Sequence, residues 1–204
     1  MPEVLSAVEA AAAQPNDFIT TYRKHRFSPR NPRAQDIDAA DIAHALSLMC
    51  RANGHFNRFF SVARHCINCC REGLARGENA DILLMLLLHD ACEAYISDVT
   101  RPVKTGLPDY REIEKNLQSV IWERFKLFPA DSDLKVVGEI DDMMLKLEFA
   151  ELAGETIDIE TCAPVFPPDF SVRTFEEDER EFLALFDDIT KESRGNENPV
   201  SEVV

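Results

Sequence analysis

Apolar residues recur along the chain at intervals of three and four, the spacing that places them on one face of an α-helix. This pattern predicts helices over residues 38–52, 61–73, 80–95, 110–127, 131–153 and 175–192. The segment 80–95 is apolar on nearly all sides, so it should lie at the centre of the protein. Because no segment requires a strand, the sequence predicts an all-α fold, a compact helical bundle.

Glycine- and proline-containing stretches separate the predicted helices. Residues 102–108 are expected to form a loop bracketed by prolines, and the basic stretch 15–37 is expected to be an ordered loop. Residues 3–14 are rich in alanine and could add a short helix, whereas 193–204 has the composition of a disordered tail. Since no repeat or linker divides the chain, we expect a single domain over residues 1–192.

Charge restricts the class of partner. The chain has 37 acidic and 22 basic residues, which gives a formal net charge of −15. A surface this acidic repels phosphate backbones, so a nucleic-acid polymer is not expected as a partner. A small phosphorylated substrate is still compatible with this charge if a metal or a local basic cluster offsets it.

Membrane insertion and secretion are not expected either. The longest apolar run, residues 82–88, is much shorter than the roughly 20 residues that span a bilayer. The first residues lack the basic start and long apolar core of a signal peptide, so we expect a cytoplasmic protein. The C-x-x-C at Cys66 and Cys69, followed by Cys70, has no second such motif to complete a zinc ribbon, and we interpret these cysteines as packing residues.

Polar residues interrupt the apolar faces of three predicted helices. His65 lies on the inner face of its helix, and His89 and Asp90 end the apolar run of the central helix. Asp141 stands in the middle of an apolar stripe, on which Glu148 follows two turns later. An unpaired buried carboxylate costs several kcal/mol, so such groups are normally paired, neutralised or bound to a metal.

Taken singly, each of these residues would be a satisfied buried polar group or half of an ion pair. Together, His65, His89, Asp90 and Asp141 predict a metal site between three core helices. Two imidazoles and two carboxylates form a mixed nitrogen and oxygen donor set that suits a divalent transition metal such as Zn, Mn, Fe, Co or Ni. An additional Mg²⁺ is left open.

Glu93 is the candidate residue for proton transfer. It follows His89 by four positions and Asp90 by three, so helical geometry places it beside both. A carboxylate that adjoins a metal without being needed as a ligand can act as a general acid or base, although a surface glutamate at a helix end is the alternative. Asp98 lies just past the predicted end of this helix, where the dipole favours a cation, so an electropositive group is expected nearby.

Two basic residues could contact phosphate. Arg51 lies late in the predicted helix 38–52, and Lys104 lies in the loop that follows the site. Either residue could equally be a solvated surface group, so the residues alone leave a substrate-binding role open.

The order of these residues resembles that of a known family. His65, the pair His89-Asp90 and the distant Asp141 follow the H…HD…D pattern of the HD superfamily of metal-dependent phosphohydrolases. The pair alone is a weak signal, but the string LLLHDACEAYISDVTRPVK over residues 86–104 is far more specific. It is similar to the YfbR-like branch, which includes 5′-deoxynucleotidases and phage dATP triphosphohydrolases of the DatZ type. Further similar strings are DIAHALSLMCRANGH (41–55), RFFSVARHC (58–66) and EIDDMMLKLEFAEL (139–152), so that the resemblance covers residues 38–152.

The resemblance implies an HD-domain fold and a role for each candidate residue. The four donors named above would bind the metal, Glu93 would transfer a proton, and Asp98 would be a second acidic group near the scissile phosphate. Arg51 would contact the phosphate. The implied activity is hydrolysis of the 5′-phosphate ester of a nucleotide or deoxynucleotide, as a 5′-nucleotidase or a dNTP triphosphohydrolase, the dATP type included. We therefore expect a small-molecule nucleotide substrate and a homo-oligomer.

The sequence departs from the family pattern at three positions. Arg64 stands where an acidic residue often precedes the metal histidine, Cys66 replaces a frequent serine, and Ser97 replaces a frequent glycine. None of these changes removes a ligand, but they leave the choice of substrate open.

Two alternative functions remain. A guanosine tetraphosphate-type hydrolase would have a second acid directly after the glutamate, but here Ala94 follows Glu93. A catalytically silent, nucleotide-binding HD module would be expected to have lost a ligand or Glu93, and this chain has lost neither. Cyclic-dinucleotide phosphodiesterases of the HD-GYP type are excluded because the Gly-Tyr-Pro element is missing.

Overall fold

Eight α-helices make up most of the computed structural model, which describes residues 17–195. They are α1 (Ala39–Leu48), α2 (Val62–Arg76), α3 (Ala80–Leu88), α4 (Glu93–Ile96), α5 (Arg101–Lys104), α6 (Pro108–Arg124), α7 (Asp131–Glu148) and α8 (Phe175–Gly195). The all-α class is therefore confirmed. The short helix considered for residues 3–14 and the tail beyond residue 195 lie outside the described residues.

One small hairpin was not predicted. Strands β1 (Ile19–Thr20) and β2 (Arg26–Phe27) pair in antiparallel fashion within the stretch expected to be a loop. Two-residue strands are too short to produce an alternating pattern of apolar and polar residues, so the sequence gives no signal for them.

Helix α3 is the centre of the bundle, as its apolar composition predicts. All its residues from Ile82 to Leu88 are buried, and the helix packs against α2, α7 and α8. The Asn79 side chain caps its first turn by accepting a hydrogen bond from the backbone N–H of Ile82 (3.1 Å). Within residues 17–195, no helix is both long and apolar enough to cross a membrane.

The first predicted helix is shorter than expected. Asp38 caps α1 by accepting from the N–H of Ala40, but the helix ends at Leu48 instead of continuing to Ala52. The chain then runs alongside the residues that precede α2, and the N–H of Arg51 donates to the carbonyl of Phe60 (2.8 Å). Arg51 therefore begins a 3-10 turn whose position is fixed by the start of α2.

The predicted helix 80–95 is broken after Leu88, which corrects the sequence prediction. Residues 89–92 form a tight turn, and α4 begins at Glu93. The Gln118 side chain from α6 bridges the break: its amide donates to the carbonyl of Leu88 (3.0 Å) and accepts from the N–H of Cys92 (3.3 Å). Both backbone groups are thus satisfied without a continuous helix.

Two further boundaries differ from the prediction. Residues 101–104 of the expected loop form the short helix α5, in which Pro102 occupies the first turn, where proline is tolerated. The predicted helix 131–153 leaves α-geometry after Glu148 and finishes as a π-helical turn over residues 149–153. Helix α8 continues to Gly195, three residues beyond its predicted end.

Arg64, which departs from the family pattern, does not face the candidate site. Its side chain is buried and donates to Asp178 (Nε to Oδ1, 2.9 Å) and to Glu181 (2.8 Å), both on α8. The hydroxyl of Ser61 also donates to Asp178. This buried ion-pair cluster joins α2 to α8, so the charge of Arg64 is compensated by α8 and is not available to a substrate.

Candidate metal centre

Four donor atoms from the four predicted ligands converge where α2, α7 and the end of α3 meet. The Nε2 atom of His65 lies 3.1 Å from Nε2 of His89 and 3.1 Å from Oδ1 of Asp141. Oδ2 of Asp90 lies 3.4 Å from Nε2 of His89 and 3.8 Å from Nε2 of His65. His65 is completely buried, and the other three are mostly buried.

These separations fit a shared metal ion. Metal–nitrogen and metal–oxygen bonds of about 2.0–2.2 Å place neighbouring donors about 3–3.6 Å apart. Three of the four distances given above lie within this range and the fourth, 3.8 Å, lies slightly above it, so small side-chain movements would complete the coordination. The described part of the chain therefore contains a buried group of His, Cys and Asp side chains that could hold a metal ion.

Two thiols lie at the same place. Sγ of Cys69 lies 3.7 Å from Nε2 of His65, and the donor atoms of His65, Cys69 and His89 all lie within 4.8 Å of one another. Cys66 groups in the same way with His89 and Asp90. Both cysteines are buried, and burial raises the pKa of each thiol well above its usual value. The sequence analysis interprets Cys66 and Cys69 as packing residues. It does not predict that their thiols lie beside the donor atoms.

The outer nitrogen of each imidazole is held by a hydrogen-bond acceptor, which fixes the tautomer. Nδ1 of His89 donates to the carbonyl of Leu86 (2.8 Å), and Nδ1 of His65 donates to Oε1 of Glu148 (2.6 Å). Since both Nδ1 atoms carry a proton, both Nε2 atoms can offer a lone pair to a metal. In the sequence Glu148 stands on an apolar stripe, but no local pattern identifies His65 as its partner.

Replacing Glu148 by glutamine should weaken metal binding by about 10–100-fold, the usual cost of losing a charged partner of a ligand histidine. The amide keeps the size of the carboxylate but removes the charge that orients His65 and pairs with Arg51. Affinity would be measured by competition with a chelator of known strength. Glu151→Gln, a change on the exposed side of the following turn, is the matched control and should bind as tightly as the original protein. An unchanged affinity in Glu148→Gln would contradict the role assigned to Glu148.

The ionisation states of the histidines and aspartates at the site depend on their contacts with one another. Burial opposes a charge on His89, but Asp90 and Asp141 outweigh it and raise the pKa of His89 to about 9. Burial likewise opposes ionisation of Asp141, yet hydrogen bonds from His65 and His89 hold its pKa well below the usual range. The carboxylates are therefore ionised, and a metal would have to displace protons from the imidazoles, so binding should weaken as the pH falls.

Arg51 is brought to the site, but it is already paired there. Its guanidinium donates to Oδ2 of Asp90 (3.3 Å) and to Oε2 of Glu148 (3.2 Å), and it is 9% exposed. It thus links a candidate ligand to the carboxylate that orients His65. The predicted role of Arg51 is to contact a substrate phosphate. None of the contacts above tests this role, and it stays a prediction.

Glu93 lies beside the donors although it belongs to a separate helix. It is 3% exposed, and its Oε2 atom has no hydrogen-bond partner among the described residues. Burial, together with the nearby charges of Asp90 and Asp98, raises the pKa of Glu93 to about 9. A buried carboxyl that keeps its proton at neutral pH has the properties of a general acid.

Asp98 is positioned by a strained residue. Ser97 ends α4 with φ 73° and ψ 156°, a region that glycine adopts far more readily, and the Tyr110 hydroxyl donates to its carbonyl (2.8 Å). Burial and Asp90 raise the pKa of Asp98, whereas Arg51 and Lys104 lower it, and the net shift is upward. The electropositive groups expected near Asp98 are therefore present.

Two basic residues of α5 face the donors. Nζ of Lys104 lies 3.7 Å from Oε1 of Glu93 and pairs with Glu114 on α6. Arg101 donates to Oδ2 of Asp141 (3.0 Å), opposite the oxygen that faces the histidines, and it is 59% exposed. The sequence prediction included Lys104 but not Arg101, whose ion pair becomes visible only when α5 and α7 are placed side by side.

Comparison with known proteins gives relatives but no activity. No protein-family model matches the chain. It is 39% identical over 115 residues to the uncharacterized protein YfdR of Escherichia coli (strain K12), a match that covers 56% of this chain and 62% of YfdR. It is 32% identical over 138 residues to the uncharacterized protein RCAP_rcc00048 of Rhodobacter capsulatus, covering 63% of this chain and 69% of that protein. The chain thus spans somewhat less than two thirds of YfdR, and it belongs to the family of RCAP_rcc00048.

Proposed function

We propose that this protein is a metal-dependent phosphohydrolase of the HD superfamily that cleaves the 5′-phosphate ester of nucleotides. The observation that carries the proposal is the convergence of His65, His89, Asp90 and Asp141 beside the buried carboxyl of Glu93. Burial of so many charged groups carries a desolvation cost that their mutual ion pairs offset only in part, so the donor cluster favours metal chemistry over a structural role.

Different residues of the chain would carry out different parts of the hydrolysis. A divalent metal at the donors would supply Lewis acidity, polarising a phosphoryl oxygen and lowering the pKa of a coordinated water. Glu93, with its raised pKa, holds a proton that it can transfer to the oxygen that leaves. Lys104, 3.7 Å from Glu93, limits the charge that develops on that carboxylate after it gives up its proton.

Positive charge at the mouth of the site suits a phosphate. Arg101 is the exposed one of the basic residues beside the donors. Its ion pair with Asp141 can be replaced by an ion pair with a phosphate oxygen at little cost, because the side chain is already in water. Arg51 lies deeper and is held by Asp90 and Glu148, so it can stabilise charge on a phosphate only from a fixed position. These side chains place basic groups beside the donors in a chain whose formal net charge is −15.

The resemblance over residues 38–152 supplies the substrate class. It favours a nucleotide or deoxynucleotide, hydrolysed as a monophosphate or as a triphosphate of the dATP type. A silent nucleotide-binding module is the second candidate, but a retained Glu93 with an unpaired, buried oxygen has no evident use in binding alone.

A substrate screen tests this proposal. The four ribonucleotides and four deoxynucleotides, each as mono- and triphosphate, and guanosine tetraphosphate would be incubated with the protein and Co²⁺, Mn²⁺, Zn²⁺ or Mg²⁺. We expect a nucleoside with either phosphate or tripolyphosphate as products, and a chelator should abolish the reaction. Hydrolysis of guanosine tetraphosphate alone would assign the protein to that rival class. Binding without turnover under every condition would favour the silent module.

A further inference from the structure

A groove of about 850 Å³ begins at the metal site and has no role in the scheme above. It is lined by residues of α6 and of the start of α7, and His89 and Asp90 form part of its wall. The lining residues of α6 include Glu114, Gln118, Ser119 and Trp122, and Leu134 of α7 completes the groove. Its volume is within the usual range for small-molecule sites.

Helix α7 connects the groove to the metal site. Leu134 and Asp141 lie on the same helix two turns apart, which corresponds to about 10 Å along the axis. With the phosphate on a metal held by Asp90 and Asp141, a nucleoside lying in the groove would reach Leu134. Trp122 also lines the groove and is partly buried, as expected of an aromatic ring with a face open to a ligand.

We infer that this groove binds the nucleoside part of the substrate and that the base stacks against Trp122. This inference rests on the proposed function, since it assigns a binding site to the nucleoside half of the substrate, which the metal site does not hold. The flat ring of Trp122 and the apolar side chain of Leu134 offer dispersion and stacking contacts, which every nucleobase can make.

The polar residues of the groove indicate broad acceptance of bases. Both amide atoms of Gln118 are engaged with Leu88 and Cys92, and the hydroxyl of Ser119 donates to the carbonyl of Asn116 (2.8 Å). Glu114 is paired with Lys104. The other charged lining residues, Arg111, Glu112 and Lys115, are exposed to solvent. Because the polar groups of the groove are either paired or solvated, base selection should come mainly from apolar contacts, and kcat/KM for the preferred and least preferred bases should differ by less than about 200-fold.

Trp122 makes the groove directly observable because it is the single tryptophan of the chain. Wild-type protein would be titrated with 2′-deoxyadenosine and thymidine, which have no phosphate to lose, and Glu93→Gln with the corresponding 5′-monophosphates. We expect saturable quenching of tryptophan fluorescence by all four ligands and none by 2-deoxyribose 5-phosphate, which lacks a base. Binding of the monophosphates, shown by equilibrium dialysis, without any change in fluorescence would overturn the inference.

A second variant tests the groove by kinetics. Leu134→Glu should raise KM for nucleotides about tenfold or more while kcat changes little, because the residue contacts the bound nucleoside and lies far from the reacting atoms. Lys135→Glu, one position along on an exposed side chain, is the matched control and should have the original KM. Unchanged KM in Leu134→Glu would overturn the assignment of the groove. Absence of turnover in the original protein would instead contradict the proposed function.

Discussion

Replacement of Asp141 by alanine should reduce the metal content from about one ion per chain to background and abolish hydrolysis. Oδ1 of Asp141 lies 3.1 Å from Nε2 of His65 and 3.8 Å from Nε2 of His89, so its loss removes one donor and the counter-charge that keeps the other donors together. The loss of affinity should exceed the 10–100-fold expected from an outer partner such as Glu148. Metal content would be measured by elemental analysis, and melting temperature with and without chelator.

The neighbouring aspartate provides the control for this experiment. Asp142 is 40% exposed and pairs with the other nitrogen of Arg101, outside the donor cluster. Asp142→Ala should retain metal and activity, because an exposed ion pair contributes about 1 kcal/mol or less. If Asp141→Ala lowers stability but keeps its metal, Asp141 is a buried polar residue and not a ligand.

The donor cluster could be predicted because helical periodicity reports which side of a helix is buried. His65 and Asp141 lie on stripes of apolar residues, and this placement survives errors of several residues in the helix ends. The cost of burying an isolated carboxylate then converts a pattern of positions into an expectation of metal binding. The all-α class follows from the same periodicity.

The remaining features depend on contacts between distant parts of the chain. The break after Leu88 is stabilised by Gln118 from another helix, and nothing near residue 88 predicts it. Glu93 was placed beside His89 by assuming a continuous helix. Glu93 does lie near the donors, but a tight turn and a new helix bring it there instead of a continuous helix. The partner of Glu148 is His65 on another helix, so no local pattern could identify it.

Arg64 shows the same limit for a single side chain. Its position next to His65 suggests an effect on the electrostatics of the pocket, but adjacent residues on a helix point in directions about 100° apart. The structure directs Arg64 to Asp178 on α8, so the departure from the family pattern concerns packing of α8 and not the site. Residues beside a predicted ligand therefore need their partners identified before an electrostatic role is assigned.

Glu93→Gln should lower kcat by about 10²–10⁴-fold while leaving metal content and nucleotide binding intact. The amide is nearly the same size as the carboxyl, and Glu93 lies in a buried position where the neutral form is already favoured, so the fold should tolerate the change. Glutamine cannot release a proton to a leaving oxygen, and the rate should suffer accordingly. The variant would be compared with the original protein by steady-state kinetics, elemental analysis and equilibrium dialysis.

The pH dependence of the rate distinguishes proton transfer by Glu93 from a role in packing alone. A general acid acts only while it is protonated, so the rate of the original protein should fall as the pH rises through the pKa of Glu93, and this fall should be absent from the residual rate of Glu93→Gln. A substitution that only disturbed packing would lower the rate at every pH and keep the shape of the profile. Loss of metal from the variant would identify Glu93 as a ligand. An unchanged kcat would transfer the acid role to Asp98, the other acidic residue beside the donors with a raised pKa, and Asp98→Asn should then show the deficit.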